Sequence, residues 1–190
     1  YASTGPRIRL RFFGGWDFDD DDADGPGLAR IGYDEGVPMG GDLTQGPEGG
    51  APTFLMYAIK DPRGANLDRV QVVKGWLDAD GKSQEKVYDV AWSDKRVLGD
   101  DGSLPPVGNS VDLETGSYTN DIGDAQLSTA WTDPDFDPGV RAFYYVRVLQ
   151  IPTPRHTLYD GISLGMTPEE TEHPATIQER AYSSPIWYTP

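Results

Sequence analysis

The residues best placed for chemistry are carboxylates at alternate positions. Asp20-x-Asp22-x-Asp24-Gly25 has the ligand spacing of a calcium loop, in which alternate acids and a glycine bend wrap the backbone around a hard cation. Asp20, Asp22 and Asp24 are therefore the candidate calcium ligands. The twelfth position of such a loop is Ile31 where a bidentate Glu is expected, with Asp34 or Glu35 the nearest replacement. A solvated acidic loop accounts for the same residues. Asp133-Pro134-Asp135-Phe136-Asp137 repeats the spacing within a proline-stiffened turn, a second candidate for metal binding. Asp78 and Asp80 belong to Asp78-Ala79-Asp80-Gly81 and read as a hairpin turn.

Other chemistries find few residues. His156 and His173 are the only histidines, seventeen residues apart on different segments, and two imidazoles with no third ligand pattern do not make a catalytic zinc centre. His156 reads as a surface-loop residue or a polar contact in a cleft, and His173 as an exposed loop residue. With no Cys there are no disulfides, thiolate metal sites or sulfur nucleophiles. The sequence has no Gly-x-Ser-x-Gly elbow, phosphate-binding glycine loop or dinucleotide fingerprint. Among 31 acidic residues a carboxylate pair says little about acid–base catalysis, and no catalytic or cofactor-binding residue is assigned. Arg7, Arg9 and Arg11 form a basic stripe, suited to an anionic group or to pairing with neighbouring acids. The formal charge of −15 argues against nucleic-acid binding and adsorption to anionic membranes. No apolar run approaches the roughly 20 residues that span a bilayer.

The elements that must position these residues are strands. Arg7 to Phe13 alternates, with Ile8, Leu10 and Phe12 on one side and the arginines on the other. Gly14 to Gly50 is an acidic, Gly/Pro-rich excursion, functional or mobile. Pro52 to Lys60 is apolar on both faces, as in a central strand. Leu67 to Leu77 and Lys82 to Trp92 flank the strongest hairpin signal. Val70, Val72 and Trp76 share a face of the first run, and Tyr88, Val90 and Trp92 a face of the second. Further strands are expected at Ser117 to Asn120, Ala125 to Trp131, Phe143 to Gln150 and, near an edge because of Pro185, Ser184 to Tyr188. Only Pro174 to Arg180 offers a helical turn. The expected fold is all-β: an antiparallel β-sandwich with long loops and very little helix, one domain over residues 1–190.

Ordered stretches along the whole chain resemble one family, the large bacterial proteins described as domain of unknown function 3604. Its carriers include Tyr1-Ala2-Ser3-Thr4-Gly5-Pro6-Arg7-Ile8, Gly36-Val37-Pro38-Met39-Gly40-Gly41-Asp42-Leu43 and Asp61-Pro62-Arg63-Gly64-Ala65-Asn66-Leu67-Asp68-Arg69. Trp131-Thr132-Asp133-Pro134-Asp135-Phe136-Asp137 and Ile177 to Pro190 extend it to the end of the sequence. His156 departs from it, standing where an aromatic residue is expected after Pro154-Arg155. The resemblance implies a larger metallohydrolase of the polymerase-and-histidinol-phosphatase type, acting on phosphate or sulfate esters with a divalent transition metal. Its ligands would precede Tyr1, and none is carried onto a residue here. This chain is then expected to be a non-catalytic C-terminal β-domain whose partner is the N-terminal catalytic portion of the same protein. The start at Tyr1, straight into an alternating strand, supports the same expectation. The rival expectation is a freestanding secreted β-sandwich that binds a ligand or partner, with calcium ordering the acidic loop. A periplasmic or extracellular location is expected.

Overall fold

In the computed structural model, which describes residues 1–44 and 46–190, strands dominate. The chain opens with Ala2–Ser3 (β1) and Arg9–Gly15 (β2), then two helices, Asp20–Asp24 (α1) and Leu28–Glu35 (α2). Val37–Pro38 (β3), Asp42–Leu43 (β4), Thr53–Ile59 (β5), Leu67–Leu77 (β6) and Ser83–Trp92 (β7) follow. Gln126–Thr132 (β8), Ala142–Gln150 (β9) and Thr153–Pro154 (β10) lead to a third helix, His156–Leu164 (α3). Thr176–Ile177 (β11), Arg180–Tyr182 (β12) and Ile186–Tyr188 (β13) complete the order.

Two sheets carry the fold. The smaller is antiparallel, in the order β3-β2-β5-β8. In the larger, β9 is central: β6 and then β7 lie on one side, while β12 and β13 pair with successive parts of its other edge. β1 extends β12, and β4 runs parallel to β13. Strand alternation sets the sandwich. Ile8, Leu10 and Phe12 turn inward while Arg7, Arg9 and Arg11 stay exposed. They meet Val70, Val72, Tyr144, Val146 and Val148 from the larger sheet in one core. Phe12, Phe54 and Tyr144 bridge the layers, with ring centroids 5.5 and 4.5 Å apart. Each such fully buried apolar side chain contributes about 1.5–3 kcal/mol.

The outer faces differ. On the smaller sheet, Phe13 and Leu55 are covered by Phe18, Ala23 and Leu28 from α1, α2 and the segment before them. α2 sits so close that a Cβ on Gly32 would lie 2.5 Å from the Phe13 ring. On the larger sheet, the outward residues of β9 (Phe143, Tyr145, Arg147 and Leu149) all remain partly exposed.

The sequence reading needs local corrections. The acidic segment is helical, because Asp19 caps its own helix. Helices also occupy Leu28–Glu35 and His156–Leu164, where no helix was expected. Pro174 to Arg180 contains the short strand β11 in place of a helical turn, its residues pairing with β10. Ser117 to Asn120 forms no strand and lies in the long connection from Ser93 to Ala125. That connection is held by side chains: Asn66 Nδ2 donates to the carbonyls of Asn120, Ile122 and Gly123, and Arg96 to those of Asp68 and Pro105. β13 lies between β9 and β4, with Pro185 just outside it.

Candidate functional site

Asp20, Asp22 and Asp24 are not brought onto one centre. In a helix, residues two apart point about 200° from each other, so the spacing that converges in a loop diverges here. Asp19 Oδ1 accepts from the Asp22 amide at 3.2 Å, and Asp22 Oδ2 accepts from the Asp19 amide at 3.1 Å. This is a reciprocal cap. Asp24 accepts from Ser128 Oγ at 3.4 Å. Asp20, Asp21 and Asp22 lie in the first turn of α1, where carboxylates suit the positive end of a helix dipole. Among the described residues no group of three or more His, Asp or Glu is arranged to hold a metal ion. His156 opens α3 and is exposed, as is His173.

The second acidic motif forms a different site. Asp133 is fully buried, and its Oδ2 accepts from Lys74 Nζ at 2.6 Å and from the Tyr144 hydroxyl at 2.7 Å. Lys74 Nζ also donates to the Asp135 carbonyl at 2.7 Å and lies over the rings of Trp76 and Tyr144, 5.4 and 5.7 Å from their centroids. Asp135 Oδ2 accepts from Lys86 Nζ at 2.5 Å and the Tyr88 hydroxyl at 2.7 Å. The two lysines thus neutralise two of the three aspartates that sequence spacing offers to a metal.

Burial and charge shift the titration of three members of this cluster. Burial, followed by the charge of Asp133, drives the Tyr144 phenol far above the ordinary tyrosine range. Burial and then the hydrogen bond to Asp135 do the same to Tyr88. The Lys86 hydrogen bond, with Tyr88 next, holds Asp135 below the usual carboxylate range. Both tyrosines act as permanent donors, and Lys74 is caged by acceptors and aromatic faces. The arrangement clamps the Asp133–Asp137 turn onto β6, β7 and β9. Sequence reading missed Lys74, Lys86, Tyr88 and Tyr144 as its members. The available signal was a lysine inside Val72-Val73-Lys74-Gly75-Trp76, where a buried strand has no use for an unpaired cation.

A groove of about 610 Å³ crosses the outer face of the larger sheet, with Phe143, Trp187 and Leu77 among its apolar walls and Arg141, Glu85 and Asp42 among its polar ones. Trp187 is 49% exposed and packs on Phe143 at 5.4 Å, and Phe143 stacks toward Tyr145 at 6.4 Å. Gly75 makes the platform possible, since a Cβ there would lie 2.3 Å from the Phe143 ring. A glycine inside a strand marks such a close approach.

The family model of DUF3604, proteins of unknown function, matches residues 1–190. The chain belongs to this family. No curated protein and no solved structure matches it. In this DUF3604 chain the aromatic groove combines exposed rings with a charged rim.

Proposed function

We propose that this DUF3604 chain is a non-catalytic C-terminal β-domain of a larger metal-dependent hydrolase of phosphate or sulfate esters. It braces the catalytic portion of the same protein through the Phe143–Tyr145–Trp187 face. One observation carries this reading: helices cover the outside of the smaller sheet, whereas an aromatic platform stands open on the larger one. Partly exposed aromatic rows rimmed by charge are the composition of protein interfaces. The buried lysine–aspartate clamp behind that sheet supplies the rigidity a docking face requires.

Two measurements test the reading. The 190-residue chain is assayed alone for phosphatase, phosphodiesterase and sulfatase activity with Zn²⁺ or Mn²⁺, and no turnover is expected. Trp187→Ala with Phe143→Ala is expected to lower the melting temperature of the full-length parent by more than the same pair lowers that of the 190-residue chain. Robust turnover by the chain alone, or a parent indifferent to both changes, contradicts the proposal. Saturable binding of a small ligand in the groove, lost in Trp187→Ala, would instead establish the freestanding binding module.

A further inference from the structure

The opposite side of the molecule carries a charge pattern that bracing through the aromatic face leaves unused. Arg7 and Arg9 with Arg63 line one hollow of about 830 Å³, and Arg9 and Arg11 line an adjoining one of about 600 Å³. Tyr1 and Arg9 border both, so the two hollows adjoin at the start of β2. Among the described residues none of these four guanidinium groups forms an ion pair, although the chain carries 31 acidic residues. The one carboxylate lining the groove, Asp61, accepts hydrogen bonds from the backbone amides of Arg7 and Arg63 at 2.8 and 2.9 Å. Arg7 and Arg63 share the single charge of Asp61, and Arg9 and Arg11 form no ion pair among the described residues, so the surface keeps an excess of positive charge that complements an anionic partner.

We infer that this groove binds an extended acidic polypeptide segment. Arg9 and Arg11 alternate along β2, which spaces them about 6.8 Å apart, and Arg7 lies just before the strand. An extended peptide with acids at every second residue has the same repeat, so the two rows meet in register. The guanidinium fork matches a carboxylate in bidentate geometry. Beside Arg9 and Arg11 the hollow is apolar and aromatic, with Tyr57 and Ile59 from β5 and Leu28 and Pro26 from the α2 side. That lining accepts the uncharged side chains of a peptide.

The test is fluorescence anisotropy with the 190-residue chain and a labelled twelve-residue peptide of alternating Glu and Val. Sulfated octasaccharide and twelve-nucleotide single-stranded DNA serve as competitors. Saturable binding that weakens with rising salt is expected. The Arg9→Glu/Arg11→Glu variant is expected to lose at least about tenfold in affinity from charge reversal, with an unchanged melting temperature because both side chains are exposed. A Lys82→Glu control, a charge reversal at the β6–β7 turn, is expected to bind as wild type. No saturable peptide binding, equal binding by the double variant, an equal loss in the control, or displacement of the peptide by either competitor at lower concentration than unlabelled peptide overturns the inference.

Discussion

Removing Lys74 exposes the energetics of the buried clamp. The Lys74 side chain is 7% exposed and its partner Asp133 0%. Lys74→Met keeps the aliphatic stem but leaves a buried carboxylate with only the Tyr144 hydroxyl and the Asp135 amide as donors. Breaking one side of such a pair costs about 3–5 kcal/mol, because the remaining charge is desolvated without compensation. The neighbouring Lys86–Asp135 pair is the internal control. It serves the same turn at 2.5 Å, yet its side chains are 50% and 49% exposed. Solvent screening holds such a pair to about 0–1 kcal/mol. For a chain of this length each kcal/mol moves the melting midpoint about 2–4 °C. Lys74→Met is thus expected to lower it by about 6–20 °C, and Lys86→Met by no more than about 4 °C. Urea titration followed by tryptophan fluorescence measures both, with equal slopes required for the comparison. A Lys74→Met/Asp133→Leu double variant is expected to recover at least about 1 kcal/mol over Lys74→Met alone, since no buried charge is left unpaired. Equal, mild losses in the two single variants would refute burial as the deciding quantity.

Other outcomes follow from the same physics. Gly32→Ala is expected to destabilise by about 1–3 kcal/mol through collision with Phe13, against the roughly 1 kcal/mol that alanine gains in helix propensity; chemical denaturation decides the sign. Asp22→Ala removes the N3 half of the α1 capping box and is expected to cost about 0.5–1.5 kcal/mol, the net worth of one hydrogen bond, equally with and without millimolar Ca²⁺ in thermal melts. The raised phenols of Tyr88 and Tyr144 contribute stability that is complete below the unfolded tyrosine value near 10. That contribution is lost as pH rises above it, because the unfolded chain ionises first. Ultraviolet titration at 295 nm should show these two phenolates appearing only with unfolding, and Tyr144→Phe should flatten the alkaline loss.

The sheet strands with regular alternation were legible because burial of one face dictates period-two patterning. β2, the β6–β7 hairpin, β8 and β9 carry it, β5 reads as a run apolar on both faces, and the structure places each within a residue or two of expectation. The helices were not legible from the same signal. α1 is a single turn of aspartates whose identity as cap or calcium loop depends on backbone conformation rather than on residue type. α2 contains Gly32, a poor helix former retained because Phe13 lies against it.

By itself the sequence determined a strand-rich fold, a family, and which side of β2 would bear arginine. Only the tertiary structure decided what the acids do. Asp133 and Asp135 lie 59 and 49 residues from the lysines that bind them, and nothing local in the chain encodes that meeting. Spacing along a strand or loop is a short-range property. Neutralisation of a buried charge is settled by whichever partner the packed sheets deliver.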